Sequence, residues 1–315
     1  MRRPRVLIAA DVVGELSSFE AGVAIGRGFA DRADVAVVPM AIGGPALAQA
    51  VATIADGELD ELGADWVVRA RGLTVIGRSQ AALPGWAPHA STQDVGAWIV
   101  QALEGVADGT VVVDLTGVRA HDGGAGLLAS ARAALTGREV IAVIAADELE
   151  LPATGLTGAV ARRGYGAGVD VAEVLAADAR MTRWADSLAA GLAVAPGGGA
   201  AGGAGLAVLG LGGRLMAGPQ FCHWLAHMDA SVPAADLIVT ATTSLSALDR
   251  GGAVVQAVAG WAEQAQRPCV AFAGGQALSR RELRTFGLES AHWVDPVVAE
   301  ELSAVAAQVA RSWFA

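Results

Sequence analysis

Short runs of β-branched and apolar residues alternate along this chain with longer segments whose apolar positions recur at helical spacing. That alternation is the pattern of parallel βαβ units. It predicts strands over residues 6–10, 35–39, 66–70, 111–115, 140–145, 237–240 and 270–273. Helical periods follow most of them, as at 19–31, 46–55 and 254–264. The strands are apolar almost throughout, which implies sheets covered on both faces. Ligands of such sheets sit beyond the carboxyl ends of the strands. Those ends read Asp11, Met40-Ala41-Ile42-Gly43-Gly44, residues 114–122, Asp147, and residues 240–244.

The expected fold class is therefore α/β with two lobes. The Pro-, Gly- and Ser-rich stretch 72–91 is a candidate crossing between them, and a second crossing is expected near 230–235. Residues 1–71 and 232–315 would then form one discontinuous, flavodoxin- or Rossmann-like lobe with a parallel doubly wound sheet. Residues 72–231 would form an inserted α/β lobe carrying two glycine-rich loops.

Composition narrows the chemistry. All 22 cationic residues are Arg, and there is neither Lys nor Asn. Both are encoded by A-rich codons, so codon usage is a ready origin. The consequence holds regardless: a Walker-A loop or a Schiff-base enzyme needs a lysine, and both are excluded. A net charge of −10 argues against nucleic acid or an anionic membrane as partner. Residues 2–10 mimic a signal peptide, but the apolar run stops at Asp11, shorter than such a segment needs. With the separated Cys222 and Cys269, this leads to the expectation of a cytoplasmic protein with structural thiols.

Several motifs carry possible chemistry. Residues 197–205 formally contain G-x-G-x-x-G, but no Asp or Glu occurs between Asp186 and Asp229 to meet a ribose. A glycine turn whose amides approach a phosphate or a neighbouring helix fits better. Asp122-Gly123-Gly124-Ala125-Gly126 follows a strand and opens a helix, so Asp122 can cap that helix while the glycines admit an anion. Cys222, His223, His227 and Asp229 have metal-like spacing, yet Phe221, Trp224, Leu225 and Met228 among them favour a buried helix, and no metal site is assigned. No G-x-S-x-G elbow exists to anchor a hydrolase triad.

In this order the pieces resemble the bacterial type I glycerate kinases. Residues 10–21 are similar to that family's P-D-S-F-K-G-S-L-S-A-x-E-A, and residues 38–45 to its V-P-M-A-D-G-G-E-G. Residues 116–127 are similar to G-G-S-A-T-N-D-G-G-A-G-M, residues 197–205 to G-A-G-A-A-G-G-x-G, and residues 236–246 to D-L-V-I-T-G-E-G-R-L-D. The resemblance implies the family's two-lobed fold, with ATP and Mg²⁺ as cofactors and glycerate or a similar small hydroxy acid as substrate. Asp11 and Asp122 would be general base or Mg²⁺ ligand, with Arg119 as a substitute cation. Gly43, Gly44, His121, Gly123 and Gly124 would meet the acid; Gly199, Ala200, Gly202, Gly203 and Thr240 would meet the nucleotide.

Departures fall on charged positions. The first motif lacks its Lys; the acidic pair of D-G-G-E becomes Ile42 and Pro45; the Glu, Arg and Asp of G-E-G-R-L-D become Thr242, Ser244 and Ser246. The family's following H-G-K is matched by Gly251-Gly252-Ala253. Phosphoryl transfer depends on cations and Mg²⁺-holding carboxylates at such places. The expectation is therefore a kinase with a weakened or altered site. The alternatives are a catalytically inactive homologue that binds a small acid or nucleotide, or a purely structural subunit.

Overall fold

A computed structural model describes residues 2–78, 86–87, 90–106, 108–118, 120–275 and 278–314. The chain divides into two compact units: residues 1–42, 49–56 and 219–315, and residues 43–48 and 57–218.

The first unit is built on a parallel sheet ordered β11-β10-β9-β1-β2, from β1 (Arg5–Ala10), β2 (Asp34–Pro39), β9 (Leu237–Thr242), β10 (Cys269–Ala273) and β11 (Ser290–Trp293). Ser17 and Glu20 form a reciprocal capping box that starts α1 (Ser18–Phe29). Helix α2 (Gly44–Ala55) follows β2. Alternate residues Val6, Ile8, Leu237 and Val239 share a core with Ile25, Phe29, Leu302 and Ala306. The intervening Leu7, Ala9, Ile238 and Thr240 are buried too, so both faces are covered, as the apolar strands require.

The second unit carries a mixed sheet ordered β3-β4-β5-β6-β7-β8: β3 (Glu58–Leu62), β4 (Asp65–Ala70), β5 (Leu73–Arg78), β6 (Thr110–Asp114), β7 (Glu139–Ile144) and β8 (Arg214–Ala217). The β3–β4 and β4–β5 pairs are antiparallel; the later pairs are parallel. Helices α3 (Gln93–Ala102) and α4 (Ala125–Leu135) pack closely, because Gly96 has no Cβ to meet the Leu127 backbone. A satellite core gathers around α5 (Ala159–Gly166), α6 (Val171–Leu188) and α7 (Ala204–Gly210). The chain continues through α8 (Gly218–Leu225), α9 (Met228–Ala234), α10 (Gly252–Gln264), α11 (Arg280–Thr285) and α12 (Ala299–Trp313).

Every predicted strand is present, but the unit bounds differ from the expected ones. The antiparallel pairing of β3, β4 and β5 carries residues 57–70 into the second unit, which also takes in residues 43–48, so the chain passes between units at 42/43, 48/49 and 56/57 rather than once at 71/72. Within the stretch expected to be a crossing, β5 pairs with both β4 and β6. The return falls at 218/219 rather than 231/232. No helix among the described residues is long and apolar enough to cross a membrane.

Candidate functional site

In the second unit, Asp122 lies between β6 and α4, and its carboxylate is crowded with donors. It accepts from the Thr92 amide (2.7 Å) and hydroxyl (2.9 Å), the Ser91 hydroxyl (3.2 Å), and the amides of Gly124 (3.0 Å) and Gly126 (3.1 Å). The Leu127 amide donates in turn to the Thr92 hydroxyl (2.9 Å). The free N–H groups at the start of α4, where an anion was expected, are thus engaged by the protein's own carboxylate. The N-cap position of α4 is taken by Gly124, and Asp122, two residues earlier, receives the Gly124 and Gly126 amides and ties the helix start to the segment that starts α3. Gly123 and Gly124 have φ of +65° and +75°. A Cβ on either would clash, at Gly123 with the Trp184 ring (2.6 Å) and at Gly124 with Ala207 (2.5 Å).

Residues 197–205 are all buried. Several of their amides are satisfied inside the unit: Gly198 donates to Ala195, Gly199 to Leu151, Ala200 to Gly197 and Gly203 to Gly199. The Ala201 amide donates to Glu148 (2.9 Å), whose other oxygen pairs with Arg163 (2.8 Å). Ala201 itself is held at φ +51°. A Cβ on Gly199 would run into the Pro152 carbonyl, and one on Gly202 into the Ala120 carbonyl. The glycines admit neighbouring backbone, so the phosphate cradle expected from Gly199, Ala200, Gly202 and Gly203 is filled by protein. Sequence reading singled out Asp147 in this region; the residue that organises the loop is its neighbour Glu148, and its pairing with Arg163 has no local sequence signal.

Asp114, at the carboxyl end of β6, was also passed over. It is buried, and accepts from the Thr116 amide (2.9 Å) and hydroxyl (2.6 Å) and from the Gly44 amide. Burial pushes its pKa up, opposed by those hydrogen bonds. Gly43 abuts Thr116, where a Cβ could not fit. The expected acid-binding pair Gly43 and Gly44 is thus fastened to Asp114 and Thr116.

In the first unit, Asp11 extends from β1 half-buried, accepting from the Val12 amide (2.8 Å). Burial raises its pKa, and that bond lowers it. Its charge acts on Cys222, whose thiol is pushed up to about 12, chiefly by burial. Thr240 lies wholly inside β9, its hydroxyl buried without a partner. It therefore does not sit on the open strand end where a nucleotide contact was expected. The His223 ring meets that of Trp261 at 4.3 Å in a tilted contact, and His227, at φ +51°, breaks the helix between α8 and α9. The two histidines do not share one helix face, and among the described residues no group of three or more His, Cys, Asp or Glu is placed to hold a metal. Arg119 lies outside the described residues, as does His89.

The fit to Mg²⁺ and ATP follows from these donor sets. Mg²⁺ takes carboxylate oxygens alongside water and phosphate. Asp114 and Asp122 direct their oxygens at protein donors, and Asp11 alone of the three retains an oxygen without a described hydrogen bond. In the glycine loop the amides of Gly199, Ala200, Ala201 and Gly203 are engaged by protein acceptors, and at those amides the loop does not fit a phosphate.

One cavity adjoins the Asp122 loop. It has a volume of about 290 Å³ and is lined by Trp86, His121, Asp122, Arg180, Met181 and Trp184, with smaller apolar residues between. The His121 ring faces the Trp86 ring at 5.4 Å, and its Nδ1 accepts the Ala87 amide (3.2 Å). Burial lowers the His121 pKa, with the nearby Arg163 charge adding to the effect.

The family model described as "Glycerate kinase family" matches residues 89–311. The uncharacterized proteins Mb2228c of Mycobacterium bovis and MT2261 of Mycobacterium tuberculosis are each 31% identical over 320 residues, spanning 91% of this chain and 83% of theirs. The fold is similar to the crystal structure of a putative glycerate kinase 2 from Salmonella typhimurium LT2, with a TM-score of 0.77 at 21% identity, covering 99% of this chain and 98% of that one. At that identity the likeness speaks for the fold alone, while the family match spans well over half the sequence. The chain belongs to the glycerate kinase family.

Proposed function

We propose that this member of the family binds a small hydroxy acid and has lost most of the capacity to phosphorylate it. The observation that carries the reading is the engagement of Asp122. A general base must present a lone pair to the hydroxyl it deprotonates, and Asp122 presents its oxygens to five protein donors instead. The missing motif charges act in the same direction, because Ile42, Thr242, Ser244 and Ala253 carry no charge with which to neutralise a phosphoryl group or to hold a cation as a carboxylate does. What persists is the hydrogen-bonded scaffold around Asp122 and the cavity beside it.

Losing one preorganised charge or donor costs about 10²–10³ in rate, so two such losses slow turnover by at least about 10⁴-fold. A typical turnover of about 10 s⁻¹ then falls to about 10⁻³ s⁻¹ or below. The test is ADP release by the purified chain with ATP and Mg²⁺ or Mn²⁺ across glycerate, lactate and related acids, beside melting curves with each acid. The expected result is turnover of about 10⁻³ s⁻¹ or below, with an acid-dependent rise in melting temperature. Turnover of about 1 s⁻¹ or more overturns the loss of catalysis. Melting curves that no acid moves overturn the binding.

A further inference from the structure

The cavity beside Asp122 is furnished for more than a three-carbon polyol acid. At about 30 Å³ per water-sized group, its volume of about 290 Å³ is more than glycerate fills and takes an aromatic ring, with the polar end of such an acid left at the open mouth, where Arg180 is exposed. Two of its walls are indoles, and both are anchored. Trp184 Nε1 donates to the Gly123 carbonyl (2.9 Å), and Trp86 Nε1 donates to Glu173 (3.2 Å). Gly123, the motif glycine, leaves the space that the Trp184 ring occupies. Met181 adds a polarizable thioether, which packs well against an aromatic ring.

The polar lining of the cavity is made by Arg180, His121 and Asp122. Because His121 Nδ1 accepts the Ala87 amide, the ring proton resides on Nε2. That Nε2 is buried without a partner among the described residues. Asp122 is the acidic group on the lining, and its charge is answered by its own five donors. Arg180 lines the cavity from an exposed position and has no ion-pair partner among the described residues. A guanidinium is suited to a carboxylate, which it meets with parallel N–H donors.

We infer that this cavity is the acid-binding site and that it selects a 2-hydroxy acid with an aromatic side chain, Arg180 taking the carboxylate and Trp86 and Trp184 the ring. The inference rests on the proposal that the chain binds hydroxy acids, and adds which kind and where. Stacked or edge-on rings and a paired carboxylate each add to affinity beyond the area buried.

The test is calorimetric titration of the full chain with 3-phenyllactate, glycerate, and the neutral 3-phenylpropane-1,2-diol. It is repeated on Arg180→Gln, an exposed change, and on Ala177→Leu, which fills the cavity and removes no described hydrogen bond. Phenyllactate is expected to bind at least about tenfold more tightly than glycerate or the diol, and to weaken by at least about tenfold in either variant. If glycerate binds as well as phenyllactate, or if both variants bind phenyllactate like the parent, the inference is overturned while the hydroxy-acid reading stands. Equal binding of the diol overturns the role of Arg180. If none of the acids binds, both readings fall together.

Discussion

Asp122→Ala separates a structural carboxylate from a catalytic one. The side chain takes three fixed amide donors, from Thr92, Gly124 and Gly126, and two hydroxyls that can turn elsewhere, from Thr92 and Ser91. Loss of a helix cap costs about 1 kcal/mol. A part-buried amide left without an acceptor costs about 1–3 kcal/mol. Counting the bonds to the start of α4 as one such cap and the Thr92 amide once gives about 2–4 kcal/mol. In a unit of this size each kcal/mol moves the melting temperature by about 2–4 °C, so a loss near 3 kcal/mol lowers it by about 6–12 °C. Asp122→Asn keeps one acceptor oxygen in place and is expected to fall about halfway between. Scanning calorimetry is the suitable assay, because it resolves two transitions if the units melt separately. An alanine variant that melts within about 2 °C of the parent while its turnover collapses would refute the structural role and restore Asp122 as a general base.

Two further expectations follow from buried groups. Cys222 and Cys269 are both buried thiols whose pKa burial pushes up to about 12, so a thiol reagent at pH 8 should label neither in the native protein and both after denaturation; rapid native labelling would contradict their placement. Asp114 titrates above its ordinary value of 3.8, so in the window just above that value the native state binds more protons than the unfolded one. Stability therefore falls as pH rises through the window. Asp114→Asn removes that slope, and the parent should lose stability relative to the variant from about pH 4 upward; a constant difference between their denaturation midpoints would show that Asp114 is not a protonated buried acid.

The legibility of the fold follows burial. β1, β9 and β10 are covered on both faces, so their sequences are unbroken apolar runs that announce themselves. β3, by contrast, reads Glu-Leu-Asp-Glu-Leu at the sheet edge, where exposed charge is tolerated and blunts unwanted pairing. β8 and β11 are four-residue edge strands, too short for a period to emerge. β5, Leu-Thr-Val-Ile-Gly-Arg, is buried over its first five residues, but it runs into a Gly- and Pro-rich stretch, and the turn signals overrode it. That misreading left the expected boundary at 71/72 instead of 56/57, because the antiparallel hairpins through β4 carry residues 57–70 into the second sheet.

The candidate site was legible as positions and not as roles. Asp122, Gly124, Gly199 and Gly202 stand in a family pattern, and a pattern does not say whether a backbone amide meets a phosphate or a carbonyl. The structure supplies the partner each time. Gly202 faces the Ala120 carbonyl, Gly124 faces Ala207, and the amides of Gly124 and Gly126 meet Asp122. Such contacts belong to the packing of one unit and are required whether or not phosphoryl transfer occurs. A chain can therefore keep the glycines of a kinase motif for stability alone, while Lys, Glu and Asp at the neighbouring positions are lost. The glycine matches identify the fold. Chemistry has to be argued from charged groups with oxygens or nitrogens left over, which in this chain points to Asp11 in one unit and to Arg180 beside the tryptophan-walled cavity in the other.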